Sequence, residues 1–222
     1  MLMRTLVSTV VIVAIVAVLL FTGAGTVDYW QAWLYLALAF TCQIAMMIDL
    51  SRRDPELLAR RRRGGVKAEP RAVQKIVIWL MLVIWAALPV IAAWDRRFGW
   101  SHMPLWLNLV GALVFLAGQA LMMWVLRSNS YARATVEVSQ GQVLSDRGPY
   151  GIVRHPMYAA FTTLAVGVAL LLGSWWALVP AALNLPILGV RLRDEESVML
   201  ADLPGYAAYK AKVRSRLLPG IW

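Results

Sequence analysis

Ile76-Val-Ile-Trp-Leu-Met-Leu-Val-Ile-Trp-Ala-Ala-Leu-Pro-Val-Ile-Ala-Ala-Trp94 carries no charged residue between Lys75 and Asp95. A helix needs roughly 17–25 apolar residues to cross a hydrocarbon core, and this run has that length. It lacks the apolar–polar alternation of a barrel strand, so it reads as a spanning helix. The same reading holds for Leu6 to Phe21, Trp30 to Leu50 and Leu105 to Leu126. Two shorter runs, Tyr158 to Leu172 and Trp175 to Val190, are separated by Gly173-Ser174. They form either two short spans or a helical hairpin that does not fully cross. Pro180 and Pro186 predict kinks or irregular backbone in the second, tolerable where protein or a cavity covers the freed carbonyls. The expected fold is all-α, a polytopic membrane helical bundle. It has four clear transmembrane helices plus a C-terminal helical hairpin (five to six spans) and an amphipathic tail.

Composition agrees. The 222 residues are 60% hydrophobic, with a mean hydropathy of +0.64, against about 45–50% apolar in soluble domains. The net charge is +10. In a soluble protein that would point to nucleic acid. Here the charge lies between apolar runs, where it sets membrane orientation and meets anionic headgroups; no nucleic-acid partner is expected. Cys42 is the single cysteine, and His102 and His155 lie on different loops. Neither a disulfide nor a metal site is expected.

The segment from Ser51 to Lys75 holds Arg52, Arg53, Arg60 to Arg63, Lys67, Arg71 and Lys75, whereas 95–104 holds only Arg96 and Arg97. The positive-inside rule places the first in the cytosol. Counting spans then puts the N-terminus, the 127–157 segment and the C-terminus on that side, and these too are basic, through Arg127, Arg133, Arg147, Arg154, Arg191, Arg193, Lys210, Lys212, Arg214 and Arg216. Arg4 and the first run imitate a secretory signal. The run is at the long end for such a signal's apolar core, and it is expected to remain as a helix. The tail from Arg191 to about Arg216 reads as an amphipathic helix broken near Leu203-Pro204-Gly205. Tyr206 and Tyr209, on one face, would pack it back onto the bundle. Residues 1–222 are expected to form one membrane domain, with the bundle in 1–127 and the cofactor-binding and catalytic region in 128–222.

Chemistry concentrates in two polar patches, Gly148-Pro149-Tyr150-Gly151-Ile152-Val153-Arg154-His155-Pro156-Met157-Tyr158 and Arg191-Leu-Arg-Asp-Glu195-Glu196. Both lie at membrane boundaries, where polar groups are costly, and they are expected to form one site. Pro156 suits the first position of a helix, with His155 at the N-cap. The N–H groups of Met157, Tyr158 and Ala159 would then face an anion, and Tyr150 and Tyr158 offer aromatic faces for a flat base. An ordinary loop-to-helix lead-in satisfies the same residues, with Arg154 reaching lipid phosphate and the tyrosines anchoring at the interface. Arg191 and Glu195 share a helix face. They read either as a surface ion pair or as a ligand pair, with Glu195 taking ribose hydroxyls or an ammonium and Arg191 a carboxylate. No Walker loop, strand-borne Gly-x-Gly or Gly-x-Ser-x-Gly elbow is present.

The order Gly148-Pro-Tyr150, Arg154-His-Pro-Met-Tyr158, Arg191-Leu-Arg-Asp-Glu195-Glu196, Tyr206-Ala-Ala-Tyr209 resembles the isoprenylcysteine carboxyl methyltransferase family. More broadly it resembles the membrane methyltransferases that include phospholipid N-methyltransferases. The likeness covers about the C-terminal 90 residues. It implies S-adenosyl-L-methionine held at the cytosolic face, closed over by the tail, and a lipophilic acceptor entering from the bilayer. Gln142, Val143, Leu144, Ser145, Tyr150, His155, Pro156, Met157, Tyr158, Glu195 and Glu196 would line the cofactor pocket. Arg191 would hold the substrate carboxylate, and Arg154, Arg191 and Glu195 would be the catalytic residues. Gln142-Val-Leu-Ser145, Leu203-Pro204-Gly205 and Ala159-Ala160 depart from the family pattern. The acceptor therefore stays open among an isoprenylcysteine-like carboxylate, a phospholipid amine, a small thiol and another lipophilic acid. An NADPH-dependent enzyme of the sterol-reductase type and a non-catalytic lipid-binding scaffold are the alternatives.

Overall fold

In the computed structural model, residues 2–63, 66, 69, 71–132 and 142–221 are described. Arg133 and Lys67, counted for orientation, fall outside them. Helix α1 spans Leu2–Ala24, α2 Trp30–Arg53, α3 Pro55–Arg63, α4 Ala72–Phe98 and α5 Leu105–Ser128. A 3-10 turn at Gly148–Gly151 leads to α6 at Pro156–Leu171, α7 at Leu178–Asp202 and α8 at Tyr206–Lys212. Among the described residues there is no strand, and the all-α expectation holds.

Helices α1, α2, α4 and α5 are long and apolar enough to cross a membrane. Their outer faces are the greasy ones: Val11, Ile12, Ile15, Val18, Trp79, Leu82, Val83 and Leu113 are all exposed. Such a continuous apolar surface would drive association in water and is at home in lipid, which marks the chain as an integral membrane protein.

The interior is formed where α4, α5, α6 and α7 meet α1 and α2. Leu20, Ala32, Leu88, Phe115, Leu164, Val168 and Ala181 belong to one buried cluster. Helices α5 and α6 run close because glycine lines their seam. A Cβ on Gly167 would sit 2.5 Å from the Phe115 backbone nitrogen, and one on Gly111 would strike the backbone of Leu171. Small residues at a helix seam permit this approach in a membrane.

Helix α7 stays helical through Pro186, so of the expected kinks or irregular backbone the loss of helix does not occur there. Pro180 falls in the first turn, where its missing donor costs little. The break in the tail is as expected: Gly205 adopts φ +82° between α7 and α8, a conformation that favours glycine.

Helix α3 was not expected, since the basic segment reads as a loop. Asp54 makes it possible: its carboxylate accepts the Leu57 N–H at 2.8 Å, an N-terminal cap. Pro55 opens the helix and Glu56 takes an i,i+4 bond from Arg60 at 3.1 Å. Leu57 and Leu58 then bury against Met122, Leu126 and Ala160, so the short helix is docked rather than free.

The bundle has two chemically distinct ends. At one, Arg60 donates to the Ser130 carbonyl, Arg127 pairs with Asp49 and Arg71 with Asp194. At the other, Asp95 meets Ser101 and Ser174, and Tyr29 donates to the Leu172 carbonyl. The two polar patches lie at the first, charge-rich end.

Candidate functional site

The two patches meet. The Tyr158 hydroxyl, on the first turn of α6, donates to Glu195 Oε2 at 2.8 Å and accepts from Arg191 Nε at 2.7 Å. Tyr158 is buried, so one phenol ties together the arginine and glutamate of α7 that share a helix face. One step along, Arg154 Nε lies 2.8 Å and His155 Nε2 3.2 Å from Glu196 Oε1. The structure thus brings the two patches side by side.

Within that site the residues separate into two groups. Arg154, His155 and Glu196 face each other. Arg154 Nη1 also donates to the carbonyls of Val213 at 2.7 Å and Arg214 at 2.6 Å. The N–H groups of Arg154 and His155 donate to the carbonyls of Ser215 and Arg216. Arg216 and Lys210 add two further cations to Glu196, at 3.2 and 3.3 Å. Burial pushes the Glu196 carboxyl up, but hydrogen bonds from His155, Arg216 and Arg154 outweigh it and hold it well below the usual carboxylate range. This group straps the chain after α8 onto the lead-in to α6. The Tyr209 hydroxyl adds a bond to the Tyr150 carbonyl at 2.8 Å, and Leu203, Tyr206, Tyr209 and Val213 form a buried cluster with Leu144 packed on it.

The second group faces inward. Met157, Tyr158 and Arg191 line a cavity of about 510 Å³ whose other walls are Val16, Tyr35, Met81, Trp85 and Phe161, among others. Arg191 is held on its far side as well: Nη1 donates to Gln74 Oε1 at 3.0 Å, and Gln74 Nε2 donates to Asp194 Oδ2 at 2.6 Å. Sequence reasoning missed Gln74. The one signal was an amide at the start of a span, and it is wholly buried. It also missed Arg61, which lines the same cavity from α3, because the basic run explains itself by topology.

His155 is the N-cap of α6 and Pro156 its first residue, as expected. The N–H groups of Tyr158 and Ala159 both return to the His155 carbonyl, so they serve the helix. The Tyr150 hydroxyl accepts from Asn129 Nδ2 at 3.1 Å, and burial pushes its pKa up to about 12. Ser145 donates to the Ser128 carbonyl, Val143 is turned outward at 72% exposure, and Gln142 is partly buried.

Two atoms in this region have spare bonding capacity. Glu195 has no ion-pair partner among the described residues, and its one hydrogen bond there is from Tyr158. The Tyr206 hydroxyl is buried without a partner among them, within electrostatic reach of Glu196 and Glu195. A buried polar atom left unpaired costs about 1–3 kcal/mol, so a polar ligand fits beside them.

Residues 109–201 match the model of the isoprenylcysteine carboxyl methyltransferase (ICMT) family, which bears out the resemblance read from the motifs. The matched stretch runs from α5 through most of α7 and contains every residue of both patches. No curated protein matches the chain.

Proposed function

We propose that the protein transfers a methyl group from S-adenosyl-L-methionine to the carboxylate of a lipophilic, isoprenylcysteine-like acceptor at the membrane–cytosol boundary. The observation that carries this reading is the shared wall: Arg191 and Tyr158 stand at once in the apolar cavity and in the polar network of Glu195. An acceptor with an apolar body and an anionic end matches that cavity.

The donor fits the residues present. Glu195 has an oxygen for a ribose hydroxyl or an ammonium, the Tyr206 hydroxyl lacks a partner among the described residues, and Tyr150 offers an aromatic face. His155 to Tyr158 and Gln142 to Ser145 complete the proposed cofactor region. Bound there, S-adenosyl-L-methionine would supply a methyl group already activated by its sulfonium charge.

The protein's own part is positioning. A carboxylate acceptor is ionised at neutral pH, so no general base is needed, and orientation supplies most of the rate. Arg191 holds the acceptor. Its guanidinium is oriented by Tyr158 on one side and Gln74 on the other, which fixes where the carboxylate oxygen points. The strap of Arg154, His155, Glu196 and Arg216 closes the tail over the site and keeps water out. Arg154 thus acts through the tail and not on the acceptor. The N-terminus, site and tail lie on the cytosolic side, where arginine and lysine concentrate. In this reading 1–127 supply the four long spans of the bundle, and 128–222, whose α6 and α7 complete its interior, bind the donor and carry out the transfer.

Calorimetric binding of S-adenosylhomocysteine and of NADPH to protein in nanodiscs tests it. Binding of the first, weakened at least tenfold in Glu195→Ala and in His155→Ala, is expected. Binding of NADPH alone would move the protein to the reductases, and binding of neither would leave a lipid-binding scaffold.

A further inference from the structure

The polar end of the cavity holds more positive charge than the protein neutralises. Arg191 is balanced: the negative charges of Glu195 and Glu69 both act on it. Arg60, one residue before Arg61, pairs with Glu56 at 3.1 Å and lies 3.9 Å from Asp54. Arg61 has no such partner among the described residues. Its Nη1 donates to the Ala132 carbonyl at 3.1 Å and lies 3.7 Å from Met157 Sδ. Among the described residues, the one group that acts on it electrostatically is the phenol of Tyr150, which is neutral at pH 7. Burial pushes the Arg61 guanidinium below the ordinary arginine value. A cation withdrawn from water with no counter-ion costs several kcal/mol.

The fold nevertheless holds Arg61 there. Asp54 caps the helix that carries it, and Leu57 and Leu58 anchor that helix in the core. The cavity also exposes two amides from spanning helices, Gln43 of α2 and Gln119 of α5. Neither side chain has a hydrogen-bond partner among the described residues. Polar groups in a spanning helix are costly unless they face something that bonds them. Arg61 and two amides therefore look into the cavity alongside Arg191 and Tyr158, and most of its remaining walls are apolar.

We propose that Arg61 is the receptor for the anionic head of the amphiphile that fills this cavity, and that Gln43 and Gln119 hydrogen-bond the segment next to that head. The inference rests on reading the cavity as the acceptor site. It assigns selectivity to a residue outside the family-matched stretch. Arg191, already balanced by Glu195 and Glu69, orients the reacting group, whereas Arg61 supplies the net attraction that admits acids and turns away neutral lipids.

The test is equilibrium binding of radiolabelled tetradecanoate and tetradecanol to protein in phosphatidylcholine nanodiscs, at a pH where the acid is ionised. The wild type is expected to prefer the acid. Arg61→Gln should lose about tenfold of that preference, the usual scale for a charge-assisted hydrogen bond, with tetradecanol binding unchanged. Arg61→Lys should keep most of it, and Arg61→Met should lose it as Arg61→Gln does. S-adenosylhomocysteine affinity within twofold of wild type in each variant reports an intact fold. No preference in the wild type would overturn the proposal, as would a preference unchanged in Arg61→Gln or lost in Arg191→Gln instead. If Arg61→Gln weakens S-adenosylhomocysteine and spares the acid, the anion at Arg61 is the donor's own carboxylate, and the proposal falls. Failure of the wild type to bind S-adenosylhomocysteine would sink the methyltransferase reading without touching the acid preference.

Discussion

Each end of the bundle buries a carboxylate, and the two are satisfied in opposite ways. Asp95 accepts from the Ser101 N–H and hydroxyl at 2.6 Å each and from the Ser174 hydroxyl at 2.5 Å. Ser174 in turn accepts the Ala177 N–H at 3.0 Å. All of these donors are neutral and short-armed. They lock the end of α4 to the lead-in of α5 and to the α6–α7 turn. Glu196 is satisfied by Arg154, His155, Lys210 and Arg216, and two of these come from the tail. The tail cations stand on long side chains that are 36% and 25% exposed, so salt screens the outer half of the cluster. A neutral staple makes a fixed corner. A cationic strap makes a closure that pH and ionic strength can loosen, at the end where the proposed donor would enter.

The widest separation between the ends is expected in turnover. Arg191→Ala should lower methyl transfer at least 100-fold, the scale for removing a group that fixes reacting geometry. S-adenosylhomocysteine affinity should stay within twofold by calorimetry. No substitution at the Asp95 end should do this in protein that still folds, and a large drop in turnover from Asp95→Asn would erase the contrast. Asp95→Ala should instead cost about 3 kcal/mol of stability, because several buried donors lose their acceptor together. Thermal inactivation of the two proteins side by side measures this.

The strap gives a smaller effect with a distinct pH signature. The Glu196 carboxyl sits below its ordinary value of 4.5 in the folded protein. Its contribution is therefore present above that value and lost as pH falls through the lowered folded one. Amide hydrogen exchange over 206–216, corrected for intrinsic rates, should speed up in wild type on acidification below 4.5. In Glu196→Gln it should already be about tenfold faster at pH 7, with no acid step, and 0.5 M salt should move wild type towards the variant. An acid-insensitive wild-type tail would show that Glu196 is not what holds it. The smallest change belongs to Tyr209→Phe, which removes one bond to the Tyr150 carbonyl. It should cost about 1 kcal/mol, seen as slightly faster exchange in the same segment, and a null effect would assign docking of α8 to apolar packing alone.

Much of this architecture is legible in the order of residues. The spans, the N-cap at His155, the break at Gly205 and the docking face of Tyr206 and Tyr209 follow from apolar length and turn chemistry. The spacing of Arg191 and Glu195 places them on one face. Other features are not legible there. Arg154 and Glu196 both read as groups for a ligand, and nothing local reveals that they bond each other across 42 positions. Arg61 sits in a run that topology explains. Its neighbour Arg60 takes Glu56 and the Ser130 carbonyl, and only the docking of α3 separates the two roles. Pro186 predicts a disturbed backbone, yet α7 continues through it.

By itself the sequence determined an integral membrane bundle, the four long spans, the start of α6 at Pro156 and which end carries the charge. These follow from interactions within a few residues: burial of apolar runs, caps, and glycine at positive φ. The tertiary structure alone decided which polar side chains are consumed by one another and which face the cavity. That choice depends on distances between segments far apart in the chain and on how deeply each charge is withdrawn from water. A carboxylate met by four basic side chains becomes a clasp, whereas Arg61, with no counter-ion among the described residues, stays open to the proposed ligand.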